Sequence, residues 1–161
     1  LGAPRVAIHN AVKAVFAPPL DADPDHFEQQ FRVNTTALMV LAKTVVPDMI
    51  TEGQGAVIVT GNTSAWRGTP NFCMFAPTKA AQRILAEAMA RDFGPKGVHV
   101  AYVTIDAAID TPWTRPQMYP DKPDEFFTKP SAIADEIFHV AHQDRSAWSF
   151  AVEVRPHHEK W

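Results

Sequence analysis

Residues 55–85 read GAVIVTGNTSAWRGTPNFCMFAPTKAAQRIL, and this stretch decides the fold. The run AVIVT predicts a buried strand, GNTSAWRGTP predicts a polar loop, and the apolar positions that follow fit the repeat of an amphipathic helix. Lys79 is the only charged residue between positions 72 and 81. A cation is costly to bury in such an apolar run, so Lys79 is the first candidate for a functional residue.

The composition is that of an ordinary globular protein. The chain has 161 residues, enough for one domain, of which 46% are hydrophobic and 20% are charged. A net charge of -3 argues against a nucleic-acid partner, which would need a basic surface. The single cysteine, Cys73, excludes an intrachain disulfide and fits a reducing compartment. With no run of ~18 apolar residues and no leader, no membrane span is expected, and the predicted location is cytoplasmic.

Segments typical of strands and helices alternate along the chain. Four apolar runs have the composition of buried strands: RVAIH at 5–9, AVIVT at 56–60, GVHVAYVTI at 97–105 and AWSFAVEV at 147–154. Helices are predicted to begin after Asp23 and Pro24, near Asn71, and at a capping Ser131. This order predicts an α/β fold, in which a parallel sheet of about four strands carries helices on its faces.

An aromatic residue four positions before Lys79 gives the motif FAPTK at 75–79, downstream of the polar loop. The motif resembles the Tyr-x-x-x-Lys signature of the short-chain dehydrogenase/reductase family, with Phe75 at the tyrosine position and Asn62 at the position of the family's serine. In that family the tyrosine hydroxyl passes a proton to or from the substrate oxygen. The lysine lowers the pKa of that hydroxyl and holds the nicotinamide ribose. Phenylalanine has no proton to give, so the resemblance implies an altered catalytic site.

Asn34 falls on the apolar stripe of the first predicted helix, in the sequence VNTTA. A buried asparagine needs hydrogen-bond partners, and a satisfied structural amide is one interpretation. The resemblance implies another, because the family has an asparagine here that lines a proton-relay water next to the lysine. The catalytic positions implied by the resemblance are Asn34, Asn62, Phe75 and Lys79.

Two further segments resemble the cofactor-binding parts of the family. HNAV at 9–12 is similar to Asn-Asn-Ala-Gly, with Val12 in place of the glycine. DAAIDTPW at 106–113 is similar to Pro-Gly-x-x-x-Thr, with Asp106 and Ala107 in place of Pro-Gly. The resemblance implies that NAD or NADP is bound by Asn10, Ala11, Lys79, Ile109 and Thr111.

Residues 112–130, PWTRPQMYPDKPDEFFTKP, are rich in proline and aromatic residues and have no clear period. Such a segment between a strand and a helix is predicted to be a lid-like substrate loop, with an irregular surface excursion as the alternative. Its Tyr119 is the candidate proton donor in place of residue 75, with bound water near Asn34 as the rival. The other tyrosine, Tyr102, lies inside a predicted strand.

Several side chains keep more than one interpretation. Thr63 and Ser64 offer hydroxyls beside Asn62, and the spacing favours neither. Trp66 is interpreted equally as a wall of the substrate site or as a cover for its loop. The tail residues His157, His158 and Glu159 include metal-ligand types but are predicted to be a solvated terminus, and no metal site is predicted.

The resemblance covers almost the whole chain, but the family's opening strand, glycine-rich turn and helix, which hold the dinucleotide pyrophosphate, have no counterpart. Residues 1–161 are therefore predicted to be a single truncated Rossmann-like domain that lacks the first three strands. The leading hypothesis is an NAD(P)-dependent oxidoreductase that transfers hydride to or from the carbonyl or alcohol of a small-molecule substrate. The alternative is a catalytically silent dinucleotide-fold binding or oligomerisation module. A homo-oligomer is expected in either case.

Overall fold

A computed structural model of the protein describes residue 2 and residues 4–159. Its strands are β1 (Val6–His9), β2 (Gly55–Gly61), β3 (Val98–Ile105), β4 (Ala108–Ile109), β5 (Phe127–Thr128) and β6 (Ala151–Val154). Four of them form one parallel sheet in the order β1-β2-β3-β6, and β4 and β5 form a separate short parallel pair. The predicted α/β fold with a parallel sheet is confirmed.

Helices cover both faces of the sheet. They are α1 (Pro24–Phe31), α2 (Ala37–Thr51), α3 (Phe75–Phe93), α4 (Thr114–Met118) and α5 (Pro130–Ala141). Successive strand residues point to opposite faces: Val57 and Val59 pack in the core with residues of α2 and α3, whereas Ile58 packs in the core with Val140 of α5. All four side chains are fully buried. The two helix layers therefore enclose strands whose side chains are apolar on both faces.

The first long helix begins where the sequence predicts. The Asp23 carboxylate accepts a hydrogen bond from the Asp25 backbone N–H at 2.9 Å, and Pro24 occupies the first helical position. The helix then runs without a break to the end of α2, except that Arg32–Thr36 forms a π-helical turn between α1 and α2. A π turn frees backbone groups from the regular hydrogen-bond ladder, and this one places Asn34 at the centre of the fold.

The continuous helix Pro24–Thr51 is 28 residues long and, by length and composition alone, could cross a membrane. One side of this helix packs on the sheet, where Leu38 and Met49 are fully buried in the core. Met39 and Val40 on its other side are 47% and 58% exposed.

Residues 112–130 contain more regular structure than the sequence predicts. After α4, a 3-10 turn at Asp124–Phe126 leads into β5, which pairs with β4. Arg115 fixes this arrangement: its guanidinium donates to Asp110 at 3.1 and 3.2 Å and to Asp124 at 2.7 Å, and lies 4.1 Å from the centre of the Phe127 ring. The hydrogen bonds from Arg115 lower the pKa of Asp110. These contacts of Arg115 with residues on both sides of it organise the lid segment. They leave no periodic pattern in the sequence, so the sequence does not predict them.

Three element boundaries differ from the sequence prediction. Helix α3 begins at Phe75, four residues after the predicted start near Asn71. Helix α5 starts at Pro130 with Lys129 at the capping position, so Ser131 is inside the helix and not its cap. The last strand is shorter than the run AWSFAVEV, because the chain first makes a 3-10 turn at Arg145–Ala147. Trp148 then stacks on His99, with ring centres 4.8 Å apart.

Candidate active site

Two cavities reach the carboxyl ends of the central strands. The first, named here the lid cavity, has a volume of about 550 Å³ and is lined by residues 16, 62–64, 72, 75, 105–109, 111, 113, 114, 118, 119, 126 and 159. The second, the edge cavity, has a volume of about 700 Å³ and lies between β1 and α5, with residues 6, 8, 10, 60, 105, 109 and 111 in its wall. Ile105, Ile109 and Thr111 line both cavities. The segment after β3 therefore separates two neighbouring spaces.

The edge cavity contains three of the five residues predicted to bind the cofactor. Asn10, Ile109 and Thr111 line it, whereas Ala11 is exposed outside it and Lys79 is buried and lines neither cavity. Thr60 connects these groups: its hydroxyl donates to the Asn10 side-chain oxygen at 2.7 Å, and its backbone carbonyl accepts from Lys79 Nζ at 3.1 Å. A polar strip therefore runs from Asn10 to Lys79 across the ends of β1 and β2.

Lys79 is buried, with 3% of its surface exposed. Burial without a carboxylate partner lowers the pKa of its ammonium from 10.5 to about 8. Among the described residues, the Thr60 carbonyl is its one hydrogen-bond acceptor. An ammonium has three N–H donors, so two remain available. The structure therefore places a partly unsatisfied cation beside the polar strip, as its position in an apolar helical run predicts.

Asn34 lies in the π turn, fully buried, and lines neither cavity. Its side-chain oxygen accepts from the Lys13 backbone N–H at 2.9 Å, and its side-chain nitrogen donates to the Lys13 carbonyl and to the Thr78 hydroxyl, both at 2.9 Å. Its amide is thus satisfied within the fold, as in the structural interpretation. Because Thr78 precedes Lys79, the contact also fixes the helix turn that carries the lysine.

The backbone carbonyl of Asn34 has a side-chain partner that the sequence does not signal. Gln82 Nε2 donates to this carbonyl at 2.5 Å and also lies 3.1 Å from His9 Nδ1. Since an amide nitrogen faces both atoms, His9 Nδ1 must accept, and the proton of the neutral ring resides on Nε2. Burial, followed by the nearby Lys79 charge, lowers the pKa of His9. A neutral histidine and a glutamine therefore connect β1, the π turn and α3.

Phe75 lines the lid cavity one helical turn before Lys79 and is 3% exposed. Its ring makes edge contacts with Phe16, at 5.6 Å between ring centres, and with Phe72, at 6.1 Å. The sequence correctly predicts the proximity of residue 75 to Lys79 along the helix. The aromatic cluster around Phe75 is not predicted, because Phe16 comes from a loop almost sixty positions away.

Asn62 also lines the lid cavity, at the start of a 3-10 turn. Its side-chain oxygen accepts from the Ser64 backbone N–H at 3.2 Å and so caps that turn. Thr63 donates to Asp106 at 3.2 Å, while Ser64 lines the cavity. The loop that carries Asn62, Thr63 and Ser64 is therefore held against the segment after β3.

The two tyrosines lie in different environments. Tyr102 is fully buried in β3 against Gly61, and its burial raises the pKa of a phenol that has no hydrogen-bond partner among the described residues. Tyr119 lies in the lid segment, packs its ring 5.1 Å from that of Phe126, and lines the lid cavity together with Phe75. The lid segment thus brings a phenol into the cavity that contains residue 75.

His157 and His158 are exposed, as predicted for a solvated tail, whereas Glu159 is half-buried and lines the lid cavity. The turn that places it is closed by a hydrogen bond from its own N–H to the Pro156 carbonyl, at 3.1 Å. Trp66 lines a different, shallower cavity, and Arg83 stacks on its ring at 3.8 Å. Trp66 is therefore a cover for its loop rather than a wall of the lid cavity.

Comparisons with known proteins agree with this architecture. The sequence model of the short chain dehydrogenase family matches residues 5–119. The 2-keto-3-deoxy-L-fuconate dehydrogenase of Xanthomonas campestris is 34% identical over 80 residues, which are 49% of this chain and 27% of that protein. The 4-formylbenzenesulfonate dehydrogenase of Comamonas testosteroni is 25% identical over 158 residues, which are 91% of this chain and 63% of that protein.

A solved structure has the same fold over nearly the whole chain. The short-chain dehydrogenase from Rhodopseudomonas palustris has a TM-score of 0.78 and 30% identity, and the match covers 95% of this chain and 62% of that one. The chain thus spans less than two thirds of the length of each of these three relatives. Since the family match extends over more than half of its residues, the chain belongs to the short-chain dehydrogenase family.

Proposed function

We propose that the chain carries the hydride-transfer site of an NAD(P)-dependent oxidoreductase that interconverts a carbonyl and an alcohol. The observation that carries the proposal is the buried ammonium of Lys79, whose one hydrogen bond among the described residues goes to the carbonyl of Thr60, a residue that lines the edge cavity. Without a use for this charge, burying it only costs stability. Membership of the short-chain dehydrogenase family supports an oxidoreductase.

The residues around the edge cavity fit the nicotinamide half of such a cofactor. We assign to the ribose hydroxyls the two N–H donors of Lys79 that have no partner among the described residues; they reach a ligand only when the cavity wall at Thr60 opens, because Lys79 is 3% exposed and does not line the cavity. Asn10 offers an amide at the mouth of the cavity. Ile109 and Thr111 give the wall a largely apolar surface suited to a flat ring. The cofactor would supply or accept the hydride, while this chain binds the ribose, orients the ring and shields the reaction from water.

The lid cavity is the proposed place of the substrate. Asn62 lines it, and its side-chain nitrogen can donate to a substrate oxygen while its side-chain oxygen caps the local turn. Phe75 supplies no proton, so we assign proton transfer to the phenol of Tyr119, which lines the same cavity from the lid segment. A positioned general acid is worth about 10²–10⁴ in rate. Asn34 and Gln82 hold the helix turn that carries Lys79 and act as positioning residues.

The activity of the whole protein also needs a group that binds the cofactor phosphates. In open α/β folds this is the turn between the first strand and helix, and we propose that the whole protein supplies it outside residues 1–161.

A homo-oligomer is part of the proposal, because Met39, Val40 and Ile84 on α2 and α3 are 47%, 58% and 59% exposed. Such apolar side chains on neighbouring helices favour association. A cytoplasmic location is proposed with it.

The experiment is a cofactor-oxidation assay with the full-length protein. NADH and NADPH are each supplied with a series of ketones and aldehydes, and loss of the reduced cofactor is followed by absorbance. We expect carbonyl-dependent oxidation in the wild type and its loss in Lys79→Met. The matched control is Lys43→Met, since Lys43 is exposed on α2.

A specific observation favours the second candidate, a catalytically silent module. The Phe75 ring packs in an aromatic cluster with Phe16 and Phe72. Residue 75 therefore has a packing role at the position where the family's tyrosine would donate a proton. In that case the full-length protein would bind reduced cofactor in a direct titration but would oxidise it with none of the carbonyl compounds. Cofactor oxidation that is equal in the wild type and Lys79→Met would contradict the proposed role of the lysine.

A further inference from the structure

The formal charges on the wall of the lid cavity have one sign. Among the described residues that line it, the charged ones are Asp106 and Glu159, and both are carboxylates. Asp106 forms an ion pair with Arg67, with 3.7 Å between the carboxylate oxygen and the guanidinium nitrogen, and the pair is weak because the Arg67 side chain is 57% exposed to solvent. Glu159 has no ion-pair partner within residues 4–159. Within the described residues, the charged groups of the wall therefore favour a cation over an anion, with Glu159 as the unpaired carboxylate.

Aromatic rings form much of the remaining wall. They come from three parts of the chain, namely the loop after β1, the start of α3 and the lid segment: Phe16, Phe72, Phe75, Trp113, Tyr119 and Phe126. Trp113 and Phe16 are 56% and 48% exposed, so apolar ring surface is still open to solvent. The faces of such rings attract both apolar groups and organic cations. A volume of about 550 Å³ has room for a substituted ring.

From these observations we propose that the lid cavity selects a carbonyl compound or alcohol that has an aromatic body and bears a positive charge. The ring of the substrate packs against the aromatic wall, and its cation pairs with Glu159 and Asp106. This inference rests on the proposed function, since it names the substrate class of the same site.

The test uses three para-substituted benzaldehydes that differ in charge. They are 4-(trimethylammoniomethyl)benzaldehyde, the neutral 4-methylbenzaldehyde and the anionic 4-formylbenzoate, supplied with NADPH or NADH to the full-length protein. The quaternary ammonium forms no imine with the aldehyde. We expect kcat/KM to fall in the order cation, neutral, anion, with about tenfold between the first and the last, because each exposed ion pair contributes up to about fivefold.

Substitution of the two carboxylates tests whether they cause the preference for the cationic aldehyde. Glu159→Gln combined with Asp106→Asn is expected to bring the ratio of kcat/KM for cation and anion close to one, with kcat/KM for the neutral aldehyde as the reference value in each protein. Glu125→Gln is the matched control, because Glu125 is an exposed carboxylate of the lid segment that does not line the cavity. A wild type that prefers the anion, or a double variant that keeps the full preference for the cation, overturns the inference.

A binding experiment separates this inference from the proposed function. Benzyltrimethylammonium and phenylacetate cannot react, and their dissociation constants are measured by calorimetry with the same protein and variants. Tighter binding of the ammonium that is lost in the double variant supports the cavity assignment even when no aldehyde is reduced, and in that case the proposed reaction fails. Equal binding of both probes contradicts the assignment even when aldehydes are reduced.

Discussion

Replacing Lys79 by methionine is expected to stabilise the protein while abolishing its proposed activity. Methionine keeps the length of the lysine stem and removes the charge. Lys79 is 3% exposed and has one hydrogen bond, to the Thr60 carbonyl at 3.1 Å. A residue that serves only the fold would lower stability when it is removed, so the direction of the change is informative.

The magnitude follows from the pKa of the buried ammonium. The pKa falls from 10.5 to about 8, and since one pKa unit corresponds to about 1.4 kcal/mol, burial of the charged form costs about 3 kcal/mol at pH 7. The hydrogen bond to Thr60, lost in Lys79→Met, offsets about 1–2 kcal/mol of that. The variant is therefore expected to be about 1–2 kcal/mol more stable at pH 7.

The same pKa predicts a pH dependence. Between pH 8 and 10.5 the folded wild type has released the Lys79 proton while the unfolded chain still holds it. The unfolded state thus binds more protons in this window, and the free energy of unfolding rises with pH. In Lys79→Met this rise is absent.

The assay is urea unfolding followed by circular dichroism at several pH values between 6 and 10, with Lys43→Met as the surface control. The quantity compared is the difference in unfolding free energy between wild type and Lys79→Met, so that other titrating groups cancel. A variant that is less stable than the wild type at pH 7, or a difference that does not change between pH 8 and 10, would refute the reasoning.

Three further predictions concern the packing of Tyr102, the association of the chain and its affinity for the cofactor. Gly61→Ala places a methyl group on the Tyr102 ring and is expected to cost about 3 kcal/mol in urea unfolding, whereas a neutral result would show that the ring moves freely. Residues 1–161 expressed alone are expected to self-associate in light scattering, with Ile84→Glu shifting them toward monomer, since Ile84 is 59% exposed; a monomeric wild type at high concentration would contradict this. The same chain should bind NAD(P) only weakly in calorimetry, because a glycine-rich turn normally supplies the phosphate contacts, and micromolar affinity would contradict that prediction.

The sequence predicts the four strands of the main sheet well because each is a short apolar run, and clear start signals or glycine–proline stops mark the helices between them. Asp23 and Pro24 locate the start of the first helix, as the structure confirms. The π turn at Arg32–Thr36 is not predicted, since it has no composition of its own and depends on contacts with α3. Local propensity contains no information about such distant partners.

The candidate site is only partly predictable for the same reason. Lys79 stands out because a lone cation interrupts an apolar helix, and the structure confirms that it is buried. His9 and Gln82 are ordinary residues in the sequence and become informative only when the fold brings them within 3.1 Å of each other. Glu159 is missed because a short tail gives no periodic signal, yet its turn directs it to the lid cavity.

The aromatic wall shows most clearly what one sequence does not contain. Phe16, Phe75 and Trp113 come from separate segments, and nothing in their spacing relates them. The loop that carries Phe16 is joined to the start of α3 by the Ala17 N–H, which donates to the Asn71 carbonyl at 3.0 Å. The pairing of β4 with β5 and the contacts of Arg115 organise the lid segment that carries Trp113. The composition of residues 112–130 predicts a lid-like segment, but it does not predict which of its side chains line the lid cavity.

We propose that Tyr119 is the proton donor of the reaction, because Phe75 has no proton to give. This proposal is tested most directly by measuring kcat for carbonyl reduction in full-length Tyr119→Phe, with saturating cofactor, alone and combined with Phe75→Tyr. We expect kcat to fall by about 10²-fold or more in Tyr119→Phe. In the double variant we expect kcat to recover substantially, since Phe75→Tyr places a phenol one helical turn from Lys79. A kcat in Tyr119→Phe within about twofold of the wild type, where a lost general acid costs about 10²-fold or more, would contradict the claim.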